Sequence, residues 1–326
     1  MNSILNGVKK EAVPPKKLQQ KKQRIAKIAC DLVGECIEKY PQVVGFELGG
    51  SYAKGTWVPE KPVDNVDIDI FVKFNKKTSE KDFRNIGTEI GFESLKKYKP
   101  YTRHAEHPFV EAIIDGTRVN VVPCYDVNKG EWKSATDRSI YHTKFMLQKL
   151  SNSMKGDVRI LKKFLQHIEV YGAEIAKEGF SGYVTEALIF YFGSFEKTIK
   201  KISELKKGQV IGKSTKKFDS FVVIIDPIDN NRNLGTAISI ENLGKFVLAS
   251  RAFLRNPSKN FFKKPISKRI MRNTDKIIVV QFKVKERSDD IVWGQIKRAS
   301  NALKTQLELG GFTVLRNSST KDEKEN

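Results

Sequence analysis

Cysteine and histidine are both scarce. The 326 residues hold three cysteines, Cys30, Cys36 and Cys124, and four histidines. So few cysteines, odd in number, exclude a disulfide framework and point to a reducing, cytoplasmic setting. His104 and His107 have no third ligand at suitable spacing, so a zinc site is not expected. No apolar run approaches the ~20 residues of a membrane helix, and the N-terminus has no apolar signal core. The sequence therefore predicts no membrane partner. No repeat of about 20–50 residues is present, which excludes solenoids and propellers. Acidic residues are outnumbered, 38 against 59 lysines and arginines, for a formal net charge of +21. Folding does not need that surplus, whereas a polyanionic partner such as nucleic acid or nucleotides accounts for it. At 39% hydrophobic and 10% aromatic, the chain is too apolar to be disordered and long enough for two or three domains.

Along the chain, residues 1–27 read as a loose basic arm broken by Pro14-Pro15. Ile25, Ile28, Ala29, Leu32 and Ile37 recur at helical spacing, and the helix ends near Tyr40-Pro41. Val43 to Leu48 reads as a strand, and Gly49-Gly50-Ser51 as a turn that can open a short helix. From Val66 to Phe74, apolar residues alternate with Asp67 and Asp69, which share the opposite strand face. Phe109–Ile114, Asp115-Gly116 and Thr117–Val122 read as a hairpin with a type I′ turn, and its second strand places Arg118 and Asn120 on one face. Residues 139–205 are helical, with Asp157 as a predicted cap and an all-apolar helix at 183–192. Residues 196–217 suggest a basic, hairpin-like excursion, and Phe221–Ile225 a buried strand stopped by Asp226-Pro227. A helix from Ile240 to Leu254 and a basic linker at 256–275 follow. The last region reads as strand (278–284), helix (to Leu309) and strand (312–315), a thin core.

The chemistry concentrates at Gly49–Thr56 and Asp67-Ile68-Asp69. A Gly-Ser turn at a helix start presents backbone N–H groups that suit a triphosphate. Two carboxylates at i and i+2 on one strand face lie about 7 Å apart and can hold a divalent metal. Metal between carboxylates and phosphate oxygens is the arrangement that phosphoryl and nucleotidyl transfer needs.

Gly50-Ser51-x-Ala53-Lys54-Gly55-Thr56-Trp57 with Asp67-Ile68-Asp69-Ile70-Phe71 resembles the DNA polymerase β-type nucleotidyltransferases, and more narrowly the archaeal (class I) CCA-adding enzymes. Ala105–Pro108, Val121–Tyr125, Asp137-Arg138, Tyr141-His142, Leu161–Leu165, Tyr171–Glu174, Gly179–Tyr183, Asp226-Pro227 and Arg232-Asn233 extend the resemblance, in order, over residues 25–316. It implies an α/β + α architecture: a nucleotidyltransferase head with a mixed sheet (1–150), a helical neck (151–256) and a truncated RRM-like α+β body (257–326) without a tail domain. It implies Mg2+ held by Asp67, Asp69 and the residue at position 120. Gly50, Ser51, Lys54, His142, Lys162 and Tyr171 would meet the nucleotide, Arg232 would read its base, and Glu106 and His107 would lie near the primer end. The implied partners are tRNA, CTP and ATP, with C, C and A added to the tRNA 3′ end and pyrophosphate released. A homodimer stays open.

The chain departs from the family pattern before Val-Val-Pro, where a third carboxylate is expected and Asn120 stands. Asparagine offers a carbonyl oxygen to a metal, but no charge and no proton acceptor. Losing a group that activates the metal site costs on the order of 10²–10⁴ in rate. Two functions follow: CCA addition, or an impaired relative that binds tRNA without transferring nucleotides.

Overall fold

The computed structural model describes residues 1–59, 66–103, 108–263, 279–283, 287–315 and 317–321. Two helices open it, α1 (Asn2–Ala12) and α2 (Lys16–Ile37), separated by the two prolines as expected. Proline lacks the N–H that a helix interior needs, so the pair ends one helix and starts the next. The arm itself is not loose. Leu5, Val8 and Ala12 are buried along one face of α1, which packs on helix α6, described below, and Lys9 reaches Asp157 at 2.9 Å. The lysines that gave the arm its disordered look occupy the other face of an amphipathic helix.

The first layer follows as β1 (Val43–Gly49), α3 (Gly50–Lys54), β2 (Ile68–Asn75), α4 (Glu80–Ser94), β3 (Tyr101–Arg103), β4 (Phe109–Ile114) and β5 (Thr117–Asp126). The five strands form one sheet in the order β1-β2-β5-β4-β3. Only β2 and β5 run parallel; the sheet is mixed, as predicted. Ile68, Ile70, Val72 and Phe74 of β2 turn into a core closed by Ile25, Ala29 and Val33 of α2 and by Phe83 and Ile90 of α4. Helix α4 lies close on the sheet because Gly87 and Gly91 face Pro123 and Val110 where any Cβ would collide. Helix α5 (Asp137–Lys149) covers the other face, with Ile140 against Phe71, Val122 and Cys124. Asp115 and Gly116 have φ of +48° and +71°, the two left-handed residues of a type I′ turn.

The second core is mainly helical: α6 (Asn152–His167), α7 (Gly182–Phe192), α8 (Phe195–Ser203) and α9 (Ile240–Arg255), with a small sheet of β6 (Gln209–Ile211), β7 (Val222–Asp226) and β8 (Asp229–Asn233). Phe164 is its centre, ringed by Phe195, Phe246, Phe253, Phe261 and Phe262. Ser151, Ser181, Ser194 and Ser239 each accept a bond from the amide three residues on, which caps the four helices. Ser151, not Asp157, therefore caps α6; Asp157 is buried within the helix and paired with Lys9. The excursion expected at 196–217 is also corrected. Phe195, Thr198, Ile199 and Ile202 form a buried helical face, so α8 takes up its first part and only β6 pairs.

Helix α10 (Asp289–Leu309) appears with the expected bounds. Residues 279–283 and 312–315, expected as strands, lie in none; Ile278 and Val284 fall outside the described residues. Among the described residues no second apolar layer covers these two segments. Only Val292 of α10 is buried, and Val279, Phe282, Phe312 and Leu315 stay exposed.

Candidate active site

The parallel pairing of β2 with β5 sets Asp69 opposite Asn120, and the antiparallel pairing of β4 sets Glu111 opposite Asn120 in turn. Asp67 enters the same face two residues before Asp69, and Arg118 two residues before Asn120. Arg118 Nε donates to Asp67 Oδ1 at 2.6 Å, and Asn120 Nδ2 donates to Asp69 Oδ1 at 2.8 Å. Burial pushes both aspartates above the usual carboxylate range. Arg118 pulls Asp67 back only in part, and for Asp69 the charge of Asp67 adds to the burial. Asn120 Oδ1 is buried with no hydrogen-bond partner among the described residues. Glu111 does not join the aspartates; it accepts from the Tyr101 hydroxyl and pairs with Arg103 at 3.5 Å. Among the described residues, no third carboxylate, histidine or cysteine completes a metal-holding group.

The Gly-Ser turn lies directly against this row. Gly49 of β1 pairs with Asp69, and Gly50 has φ +68° with its Cα facing Asp69 Oδ2. A Cβ at Gly50 would collide with that oxygen, so glycine is required on two counts. Ser51 follows as the second residue of α3.

Lys54, the last residue of α3, is buried. Its Nζ contacts Glu186 Oε2 at 2.5 Å, while Thr56 Oγ1 donates to Glu186 Oε1 at 2.5 Å. Lys162 on α6 is 2% exposed. It makes no hydrogen bond or close ion pair among the described residues, and only the charge of Glu186 acts favourably on it. Burial lowers the Lys162 ammonium, with Arg159 adding to the shift and Glu186 opposing it. Glu186 itself is held below the carboxylate range: burial would raise it, but Lys54, Lys162 and Thr56 outweigh that. Lys162 Nζ and the Tyr171 hydroxyl converge on Gly182, where a Cβ would stand 3.6 and 3.1 Å from them.

A second buried carboxylate, Asp226 at the end of β7, gathers the remaining residues. Its Oδ2 accepts from Arg232 Nη1 at 3.0 Å and contacts His142 Nε2 at 2.9 Å; its Oδ1 accepts from the Tyr183 hydroxyl at 2.9 Å and from the Ile228 amide at 3.0 Å. The His142 ring stacks on Tyr183 with centroids 3.7 Å apart. Burial lowers the His142 pKa, Arg232 and Lys54 lower it further, and Asp226 opposes the shift. Lys54 Nζ lies 5.6 Å from the Tyr183 ring centre, which joins the two clusters.

The structure thus brings Asp67, Asp69, Asn120, Gly50, Ser51, Lys54, Lys162, Tyr171, His142 and Arg232 into one continuous region where the sheet meets α6, α7 and β8. Glu106 and His107 lie outside the described residues. The sequence reading missed Glu186 and the pairing of Arg118, and it gave Asp226 and Tyr183 no role beyond their place in motifs. One signal was present: Glu186 is the single charged residue of α7, and a charge in an all-apolar helix needs a buried partner.

A mixed sheet that lines two aspartates up beside a Gly-Ser turn, with buried lysines behind them, defines a nucleotidyltransferase. Family models agree: a nucleotidyltransferase domain matches residues 29–142, the second domain of tRNA nucleotidyltransferase matches 156–263, and the C-terminal domain of CCA-adding enzyme matches 273–326. The chain is 35% identical to the CCA-adding enzyme of Pyrobaculum islandicum, over 99% of this chain and 77% of that protein. It is 35% identical to that of Sulfurisphaera tokodaii, over 96% of this chain and 74% of the relative. The chain belongs to the CCA-adding enzyme family. Solved structures share its fold: the Cid1 poly(U) polymerase with Mg and 3′-dATP bound has a TM-score of 0.60 at 13% identity, over 80% of this chain and 98% of that one. The CdnC protein of E. coli MS115-1 with ATP has a TM-score of 0.58 at 16% identity, over 80% and 94%. Among the described residues, no helix is long and apolar enough to cross a membrane.

Proposed function

We propose that this chain adds C, C and A to the 3′ end of tRNA, taking them from CTP and ATP and releasing pyrophosphate, with Mg2+ as the metal. The observation that carries the reading is the row Asp67, Asp69 and Asn120 set against Gly50-Ser51, with Lys54 and Lys162 buried behind it. In this reading residues 1–150 supply the head, 151–256 the neck and 257–326 belong to the body, with α1 folded back onto the neck.

The residues suit a hard divalent cation. The donors are all oxygens, Asn120 Oδ1 is buried without a partner among the described residues, and Gly50 sets no side chain of its own against Asp69 Oδ2. Asp67, Asp69 and the Asn120 carbonyl would hold the ion. When bound, Mg2+ makes the primer 3′-hydroxyl more acidic and neutralises phosphoryl charge. Two carboxylates and Arg118 give the row a formal charge of −1, since −2 + 1 = −1, so its attraction for a divalent ion is weak. Lys54 and Lys162 supply positive charge to the triphosphate, and Tyr171 and His142 supply polar contacts beside it. Arg232, whose side chain is 43% exposed beyond its bond to Asp226, offers its other donors to the base.

The test is addition of labelled CTP and ATP to a tRNA ending at the discriminator base, titrated with Mg2+, for the natural chain and Asn120→Asp. The natural chain extends the tRNA by up to three nucleotides at high Mg2+. Asn120→Asp does so at lower Mg2+ and faster, by on the order of 10². Retention of tRNA without extension by either protein would sink the proposal.

A further inference from the structure

We infer that Asp226 is a positioning residue for nucleotide selection: it pins Arg232 and His142, so that discrimination between C and A depends on a buried carboxylate that itself touches no substrate. The inference rests on the proposed role of Arg232 at the base.

Asp226 is wholly buried, and its two oxygens meet four donors. Oδ2 takes His142 Nε2 and Arg232 Nη1, and Oδ1 takes the Tyr183 hydroxyl and the Ile228 amide. An ionised carboxylate has about four lone-pair sites, so this set fills it. The donors come from α5, α7, β8 and the turn after β7, so no single element can shift without breaking a bond to a buried charge. The carboxylate is held below its usual range, since His142, the Ile228 amide and Tyr183 outweigh the effect of burial. Because Asp226 only accepts, the His142 nitrogen facing it carries the proton.

Selection between bases needs a donor that does not follow the base. An arginine side chain in solvent samples many rotamers, and a free guanidinium could bond the acceptors of cytosine or adenine equally well. Arg232 is half-exposed, yet its Nη1 is fixed to a carboxylate that cannot rotate. Its remaining N–H groups therefore keep one position, and a purine and a pyrimidine present their acceptors to that position differently. Pro227, which follows Asp226 directly, fixes the turn that returns the Ile228 amide to the same carboxylate.

The experiment measures kcat and KM for CTP and ATP separately at each position of addition, on tRNAs ending at the discriminator base, at C and at CC. It compares the natural chain with Asp226→Asn, Asp226→Glu and Arg232→Ala, with a melting temperature for each. Asp226→Asn keeps the shape but places an NH2 group in the carboxylate; Asp226→Glu keeps the charge but moves it by one carbon. Both are expected to raise incorporation of the wrong nucleotide, relative to the right one, by roughly tenfold or more. A purely structural role would lower the melting temperature, or slow both nucleotides equally, with the ratio unchanged; that result in either folded Asp226 variant overturns the inference. An unchanged ratio in Arg232→Ala overturns the base-reading role of Arg232 instead, so the two failures are told apart.

Discussion

Glu186 shows how much of the site depends on single buried charges. It balances Lys54 directly and Lys162 at longer range, and both are the lysines assigned to the triphosphate. Removing one partner of a buried pair leaves an uncompensated charge, at a cost of about 3–5 kcal/mol. Glu186→Gln, which retains an acceptor for Thr56, is therefore expected to lower unfolding free energy by about that amount in urea titrations at neutral pH. The sign of the pH dependence follows from the direction of the shift. A carboxylate held below its ordinary value stabilises the fold above its unfolded value, about 4.3 for glutamate. That contribution is lost as pH falls through the lower, folded value. Asp226 acts in the same direction. The contributions of Glu186 and Asp226 should be lost below about pH 4, while Asp67 and Asp69, raised by burial, act in the opposite direction. The test is therefore the difference between proteins, a shallower acid slope in Glu186→Gln, and identical acid limbs would count against the Lys54–Glu186 pair. The shared face of Asp67 and Asp69 beside a Gly-Ser turn was legible in the sequence from strand alternation, whereas Lys54 entered only through the family resemblance. The roles of Glu186 and Asp226 were not legible, because each ends or interrupts an apolar run whose periodicity says only that it is buried. What they meet is decided by three or four elements distant in sequence.

At the scale of elements, the hinge between β1 and α3 carries the most constraint. Gly50 needs a left-handed φ, which costs another residue about 1 kcal/mol, and its missing Cβ leaves room for Asp69. Gly50→Ala should therefore reduce Mg2+-dependent nucleotide addition by on the order of 10², while the melting temperature shifts only a few degrees; a loss of stability with activity per folded molecule preserved would contradict the placement of Asp69. Helix α1 offers a separate test. Val8 is 2% exposed against α6, and burying such a side chain contributes about 1.5–3 kcal/mol. Val8→Asp should lose at least that in thermal or urea unfolding, whereas an arm without structure would tolerate it. The helices α2, α9 and α10, the all-apolar α7 and the strands β1, β2, β4 and β5 were legible, whereas α4 and the three-residue β3 were not read. Helix α1 was hidden by its lysines, and the strands expected beside α10 failed because alternation specifies a face, not a partner to bury it.

The whole molecule carries a net charge of +21, and its lysines divide into two populations. Lys54 and Lys162 are nearly out of solvent. Lys200, Lys201, Lys206, Lys207 and Lys217, around α8 and β6, stand on the surface. Salt separates the two. Exposed charges are screened beyond about 8 Å at physiological ionic strength, while buried ones are screened far less. Binding to RNA phosphates also releases counterions, so its logarithmic salt slope counts the contacts, at roughly 0.7–0.9 per phosphate. The tRNA affinity of this chain should accordingly fall steeply between about 50 and 200 mM salt, by on the order of 10³ or more if six phosphates are met. The rate of C addition from tRNA already bound, at saturating CTP, should change little over the same range. Both slopes are read from one titration: filter binding for the first, single-turnover extension for the second. If the single-turnover rate falls as steeply as the affinity, the lysines proposed at the triphosphate are solvent-screened and the buried charge network around Glu186 does not govern the chemical step. If only affinity falls, surface lysines hold the tRNA while the buried pairs hold the nucleotide, and the excess charge of the sequence belongs to the first task.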